Sequence, residues 1–167
     1  AEGVTTFFDL DPKGIEFVFG LNFLGTLLPT QVFTRDMAEG GSGVVINISS
    51  MNAFTPLTKI PAYSAAKEAV SNFTLWLSEH LSKVGIRVNA ICPGWIDTKM
   101  AVDLHHEFAK DMKEPYEKVF DESMRLNMLS EIIPAQAVAD MAVFLAGPGG
   151  TYVTGQAINV CAGLSVH

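Results

Sequence analysis

Tyr63 and Lys67 stand at positions i and i+4 in Tyr63-Ser64-Ala65-Ala66-Lys67. On a helix that spacing stacks two side chains on one face, about one turn apart. An ammonium beside a phenol favours the phenolate and lowers the phenol's pKa. A phenol poised nearer neutrality can exchange a proton with an alcohol or carbonyl oxygen. Ser50, upstream, offers a hydroxyl that can hold the same oxygen in place. Such a set suits interconversion of an alcohol and a carbonyl, with the hydride travelling on a separate carrier. Alone, Tyr63 reads as a surface aromatic and Lys67 as a solvated charge; the presence of Ser50 tips the reading to chemistry.

The elements that must position these residues follow from pattern. Asp11-Pro12 reads as an N-cap and first helical residue, opening an apolar helix over 12–37. The run of glycines near 40–43 stops it, and residues 44–49 form a short buried strand rich in β-branched residues. Residues 51–60 read as a loop. Pro61 opens a second helix with Ala62, Ala66, Ala69, Val70, Phe73, Leu77 and Leu81 at helical spacing, closed by Gly85. A second strand covers 86–92 and ends at Pro93-Gly94. Residues 96–133 are irregular, charged and Met-rich, expected as a mobile insert with one or two helices. A helix over 134–145, a Gly-Pro-Gly-Gly turn and a last strand at 157–160 complete the chain. Strands separated by helices imply right-handed crossovers and a parallel sheet covered on both faces. Ligands of such sheets bind beyond the carboxyl ends of the strands, where Ser50 and Pro93-Gly94 fall.

At this point the text resembles the short-chain dehydrogenases/reductases. Asn22, Ser50, Tyr63 and Lys67 match that family's Asn-Ser-Tyr-Lys tetrad in order. Asn47-Ile48-Ser49-Ser50, Arg87 to Gly94, Thr98, and Thr154 to Val160 match its local text. The resemblance implies an α/β, Rossmann-like, doubly wound parallel sheet, with only the later strands and helices present, as one domain over 1–167. It implies NAD or NADP as cofactor. In its terms Tyr63 is the general acid and base, and Lys67 lowers the Tyr63 pKa and binds the nicotinamide ribose. Ser50 orients the substrate oxygen, and Asn22 holds a relay water. Pro93, Gly94, Ile96 and Thr98 pack around the nicotinamide. Residues 7–26 and 51–61 look locally like sugar-acid reductases that interconvert D-mannonate and D-fructuronate, and the segment after Thr98 looks nearer to sugar-alcohol dehydrogenases. On that reading Asn52 contacts substrate with Ser50 and Tyr63, and Lys59 meets a carboxylate.

Composition narrows the classes. The chain has 167 residues, 49% hydrophobic and 17% charged, with a net charge of -7, which argues against a nucleic-acid partner. The apolar letters around 17–28 are broken by Gly20, Asn22, Gly25 and Thr26, so no bilayer span is expected. Cys92 and Cys161 make no disulfide framework and suggest two buried thiols in a reducing, cytoplasmic setting. Asp103, His105, His106 and Glu107 read as a polar lid face, with no metal site. The helices near Pro12 and Pro61 are apolar nearly all round, and the resemblance implies that they pack against a second subunit, as a homo-oligomer.

The chain starts without Met and lacks the family's Gly-rich strand-turn-helix. We therefore expect a missing front end, an exposed edge at strand 44–49 and weak cofactor binding by this chain alone. Val160-Cys161-Ala162-Gly163 also departs from the acidic residue and paired glycines common in members. Two competing readings are a non-catalytic scaffold, which has no need of Ser50, Tyr63 and Lys67 together, and a Ser-Lys or Tyr-Lys hydrolase. The hydrolase leaves the 93–98 loop unexplained.

Overall fold

The structure, a computed structural model, describes residues 7–57 and 60–165. Asp11 caps the first helix. Its carboxylate accepts the N–H groups of Lys13 and Gly14, both at 3.2 Å, and Pro12 fills the first turn, where no N–H is needed. Helix α1 (Pro12–Phe19) passes through a π turn (Gly20–Leu24) into α2 (Gly25–Glu39). The helix expected over 12–37 is thus one helical run with a widened turn at Asn22. Pro29 interrupts the amide ladder of α2. Around it the hydroxyls of Thr26, Thr30 and Thr34 each donate to the carbonyl four residues back, at 2.9, 2.7 and 2.7 Å.

The polar letters at Gly20, Asn22, Gly25 and Thr26 interrupt the apolar text without interrupting the helix. The run spans 28 residues, with a mean hydropathy of 1.3 over an 18-residue window, a length and composition that the helix of a soluble protein can also have. Here it lies against the helix at Pro61–Leu81 and the strand at Gly43–Ile48.

Strands β1 (Gly43–Ile48), β2 (Ile86–Pro93) and β3 (Ala157–Val160) form a parallel sheet in the order β1-β2-β3, with Gly43 opposite Ile86 and Ala90 opposite Ala157. Among the described residues β1 is an edge strand. Gly85, at φ 77°, turns the chain into β2, and a side chain there would run into the Gly41 carbonyl. The fold class is α/β, a parallel sheet with helices on both faces.

Alternation along β2 sorts the layers. Ile86 and Val88 face α3 (Pro61–Leu81) and form a core with Leu77, bordered by Met37, Val45, Phe73 and Leu81. Arg87 and Asn89 face the opposite layer. The Arg87 guanidinium donates to Leu145 O and Gly150 O, both at 2.7 Å, closing the C-terminal end of α6 (Ala135–Ala146). Asn89 is fully buried. It donates to Val153 O at 2.8 Å and accepts from Gln156 N at 3.1 Å, which fixes the approach to β3.

Residues 96–133 hold two helices, within the one or two expected: α4 (Lys99–Met112) and α5 (Tyr116–Arg125), joined to the body by a parallel bridge between Ile96 and Ile133. Ala101, Ala109, Val119 and Met124 are buried between them. His105 corrects the expectation that it lies on a polar face. It is fully buried, with its ring 4.5 Å from Trp95 and 5.3 Å from Phe120, and its Nδ1 lies 2.7 Å from Ala101 O. Only His106 of the pair turns outward, stacked 4.2 Å from Tyr116. No group of three metal-ligating side chains gathers among the described residues.

Candidate active site

The site is built at the carboxyl end of β1. Ser49 N–H donates to Ile91 O at 2.8 Å, carrying the ladder one residue beyond the strand. Ser50 is extended and caps a short 3-10 turn (Met51–Ala53), its hydroxyl accepting Asn52 N–H at 3.1 Å. The same hydroxyl is near enough to the Tyr63 phenol to pull its pKa down. Tyr63 sits in the first turn of α3, and Lys67 follows one turn later. Lys67 Nζ lies 5.7 Å from the Tyr63 ring centroid and donates to Ile48 O at 2.9 Å. In a parallel ladder Ile48 turns its carbonyl away from β2, so the ammonium meets it at the open edge of β1. Ser50, Tyr63 and Lys67 are thus brought together.

Two serines that the sequence reading overlooked hold this arrangement. The Ser49 hydroxyl is 2.8 Å from both Lys67 O and Ser71 Oγ, and Ser71 Oγ donates to Lys67 O at 3.3 Å. Both serines are buried. They tie the end of β1 to the turn of α3 that carries Lys67. The available signal was the doubled serine after Ile48 and a third serine at i+4 from Lys67. Burial pushes the pKa of the nearby Cys92 thiol up, against any nucleophilic role.

Burial also raises the Tyr63 pKa, and the Ser50 hydroxyl pulls it back only in part. Burial lowers the Lys67 pKa. The lowering of the phenol expected from its lysine neighbour is therefore not found in the chain by itself: desolvation of the phenolate outweighs an ammonium held on a carbonyl. A prediction follows. The absorbance titration of the chain minus that of Tyr63→Phe isolates one phenol, and its midpoint should lie above the usual tyrosine value of about 10. A neutral phenol favoured by the fold stabilises it below that pH, and this contribution is lost as pH rises through the folded pKa. A difference titration centred below about 10 would contradict burial as the dominant cause.

The other expected residues divide. Gly94 N–H donates to Val160 O at 2.9 Å, and a Cβ at Gly94 would lie 2.8 Å from Cys161 Cα, so only glycine fits. Pro93, Gly94 and Ile96 occupy the carboxyl end of β2, held by Ile133 N–H on Trp95 O and Asp97 N–H on Ile133 O, at 2.9 and 2.8 Å. The Thr98 hydroxyl accepts Ala101 N–H and donates to Ile96 O, both at 3.3 Å, so its first duty is to cap α4. Asn22 lies in the π turn, and its amide donates to Val18 O at 3.0 Å, within its own helix. The π turn packs on α3, with Phe23 edge-on to Phe73 at 6.1 Å. Asn52 is buried, and its Oδ1 accepts no hydrogen bond. Lys59 lies outside the described residues.

A hollow lined by Ser42, Gly43, Gly85, Arg87, Gly147 and Thr154 opens at the amino ends of the strands, the far side from Ser50 and Tyr63.

The residues at this end fit the nicotinamide end of a dinucleotide: Lys67 offers an ammonium that would meet ribose hydroxyls, and Gly94 presents bare backbone. The pyrophosphate end has no glycine-rich turn between strand and helix in this chain.

Comparison with known proteins agrees with this geometry. An uncharacterised oxidoreductase of Haemophilus influenzae is 68% identical over 95 residues, which is 57% of this chain and 33% of that protein. The crystal structure of a candidate D-mannonate oxidoreductase from Haemophilus influenza, with bound NAD, matches at 44% identity and a TM-score of 0.83, over 98% of this chain and 57% of the other. That of an actinorhodin polyketide ketoreductase with NADPH matches at 32% identity and a TM-score of 0.92, over 100% of this chain and 65% of the other. The chain thus spans about a third of the first relative's length and under two thirds of these structures. A family model described as enoyl-(acyl carrier protein) reductase covers residues 2–165, and with it the chain belongs to the short-chain dehydrogenase/reductase family.

Proposed function

We propose that this chain is the catalytic part of an NAD- or NADP-dependent oxidoreductase that interconverts an alcohol and a carbonyl. We further propose that its substrate is a sugar acid or sugar alcohol of the D-mannonate/D-fructuronate kind. One observation carries the reading: Tyr63 and Lys67 one helical turn apart, with Lys67 Nζ 5.7 Å from the Tyr63 ring and bonded to Ile48 O beside Ser50, at the carboxyl end of a parallel strand. The likeness to an oxidoreductase and to a candidate D-mannonate oxidoreductase supports the reaction class and the substrate.

The dinucleotide, when bound, supplies or takes the hydride. Tyr63 gives its phenolic proton to the carbonyl oxygen in reduction and takes it back in oxidation. Ser50 turns its hydroxyl to that oxygen and holds it. Lys67 leaves the Ile48 carbonyl for the ribose hydroxyls and brings positive charge to the phenol. Asn22 serves a water relay from Lys67 to solvent. Pro93, Gly94, Ile96 and Thr98 wall the nicotinamide. Asn52 accepts a substrate hydroxyl at its unpaired Oδ1, and Lys59 meets the acid group.

Residues 1–167 act as one domain in the cytoplasm. The chain pairs with a second copy through the exposed apolar side chains of α1, α2 and α3, among them Phe17, Leu21, Leu28, Phe33 and Trp76.

The test is a fluorescence titration with NADH and NADPH. The chain should bind weakly, for want of a pyrophosphate turn, and Lys67→Ala should weaken binding a further tenfold or about that, the loss of charge-assisted hydrogen bonds. Equal binding by the variant would remove Lys67 from the cofactor site. Keto sugar acids that no preparation of the enzyme reduces would remove the substrate assignment.

A further inference from the structure

Beyond β3 the chain folds back, and residues 161–165 meet all three segments that flank the candidate site. Ala162 and Gly163 both take positive φ, 52° and 80°, which makes the reversal tight. Cys161 abuts the turn after β2, its Cα 2.8 Å from where a Gly94 side chain would start. Ala162 O accepts Leu129 N–H at 3.2 Å, and Gly163 lies so close to Met128 that a Cβ would sit 2.7 Å from that side chain; both contacts are to the segment after α5. Ser165 reaches the loop that follows Ser50: Thr55 Oγ1 donates to Ser165 Oγ at 2.9 Å, across 110 residues of sequence.

Ser165 is itself locked from three sides. Asn159 Nδ2 donates to its carbonyl at 3.0 Å, the Cys161 thiol to the same carbonyl at 3.4 Å, and its own N–H to Cys161 Sγ at 3.5 Å. Both Ser165 and Cys161 are buried, at 6% and 4% exposure.

We propose that Ser165 is a positioning residue: its hydroxyl latches the loop after Ser50 to the C-terminal segment, so that the loop, the Gly94 turn and the end of the lid hold one geometry and seat the substrate. The seat rests on the oxidoreductase reading above; the latch does not.

Two readouts separate them. The first is thiol labelling of the 167-residue chain, followed cysteine by cysteine by mass spectrometry. Ser165→Ala and Thr55→Val each remove the same part-buried hydrogen bond, and both should raise the Cys161 labelling rate about tenfold or somewhat less. The double variant should add nothing further, since both changes break the same contact. Ser165→Thr should restore the slow rate, and Cys92 should stay protected throughout. The second readout is kinetic. KM for the carbonyl substrate should rise by about the same factor in Ser165→Ala, with kcat within about twofold and Ser165→Thr recovering both.

Unchanged Cys161 labelling overturns the latch. A latch that opens with KM unmoved overturns the positioning role. A fall in kcat equal to the rise in KM, with Cys92 labelled too, would mean general loosening and also overturns it. A wild-type protein that reduces no carbonyl compound counts against the oxidoreductase reading, and labelling then decides the latch by itself.

Discussion

Tyr63→Phe should lower turnover by roughly a thousandfold, the range expected when a positioned general acid is removed. The substitution deletes one oxygen at the mouth of α3 and keeps the ring. The helix should be unaffected, since the phenol lies near Ser50 and Lys67 is held on the Ile48 carbonyl. Dinucleotide affinity should therefore change by less than about threefold, because the groups placed to grip it, Lys67 and the Gly94 turn, remain. Steady-state kinetics beside a fluorescence titration check both halves. Turnover retained within tenfold would show that another group moves the proton. The three-residue cluster would then be an architectural feature.

Gly94→Ala tests the other wall of the site. A Cβ there would lie 2.8 Å from Cys161 Cα, 2.9 Å from its Cβ and 3.3 Å from its carbonyl oxygen. These are backbone and near-backbone atoms that cannot swing aside, so the turn must move off β3 and strain its 2.9 Å bond to Val160 O. Overpacking of this kind costs about 1–3 kcal/mol. Urea unfolding should show a loss of that size. The displaced turn should also weaken dinucleotide binding more than Tyr63→Phe does. Full stability with full binding would mean that the contact relaxes freely, and the turn would lose its role as a fixed wall.

Much of this was legible in the amino-acid sequence because it depends on local rules. The i,i+4 spacing of Tyr63 and Lys67 needs only a helix, and Pro61 with a run of apolar residues at helical spacing supplies one. Apolar, β-branched runs ending in Ser49-Ser50 and Pro93-Gly94 mark strands whose carboxyl ends hold the site. What local rules could not supply are the consequences of packing between distant segments. Polar letters at Gly20, Asn22, Gly25 and Thr26 break an apolar text, yet backbone hydrogen bonds and the threonine hydroxyls carry one helical run through them. His105 looks polar in a charged stretch, but two amphipathic helices close over it and surround it with aromatic rings.

The direction of the Tyr63 pKa divides along the same line. Sequence places an ammonium within a turn of the phenol, which favours the phenolate. Tertiary structure decides how far the phenol is desolvated and sends the ammonium to the Ile48 carbonyl, and desolvation wins. The serine clamp on Lys67 and the Ser165 latch bring together residues 18 and 110 positions apart. The sequence by itself determined the family, the strands and helices that carry the tetrad, and the chemistry they suit, since each rests on periodicity and short-range spacing. Burial, the partners of each polar group and the meeting of the C-terminal segment with the loop after Ser50 were decided only when the chain packed, because those energies depend on which distant surfaces exclude water from one another.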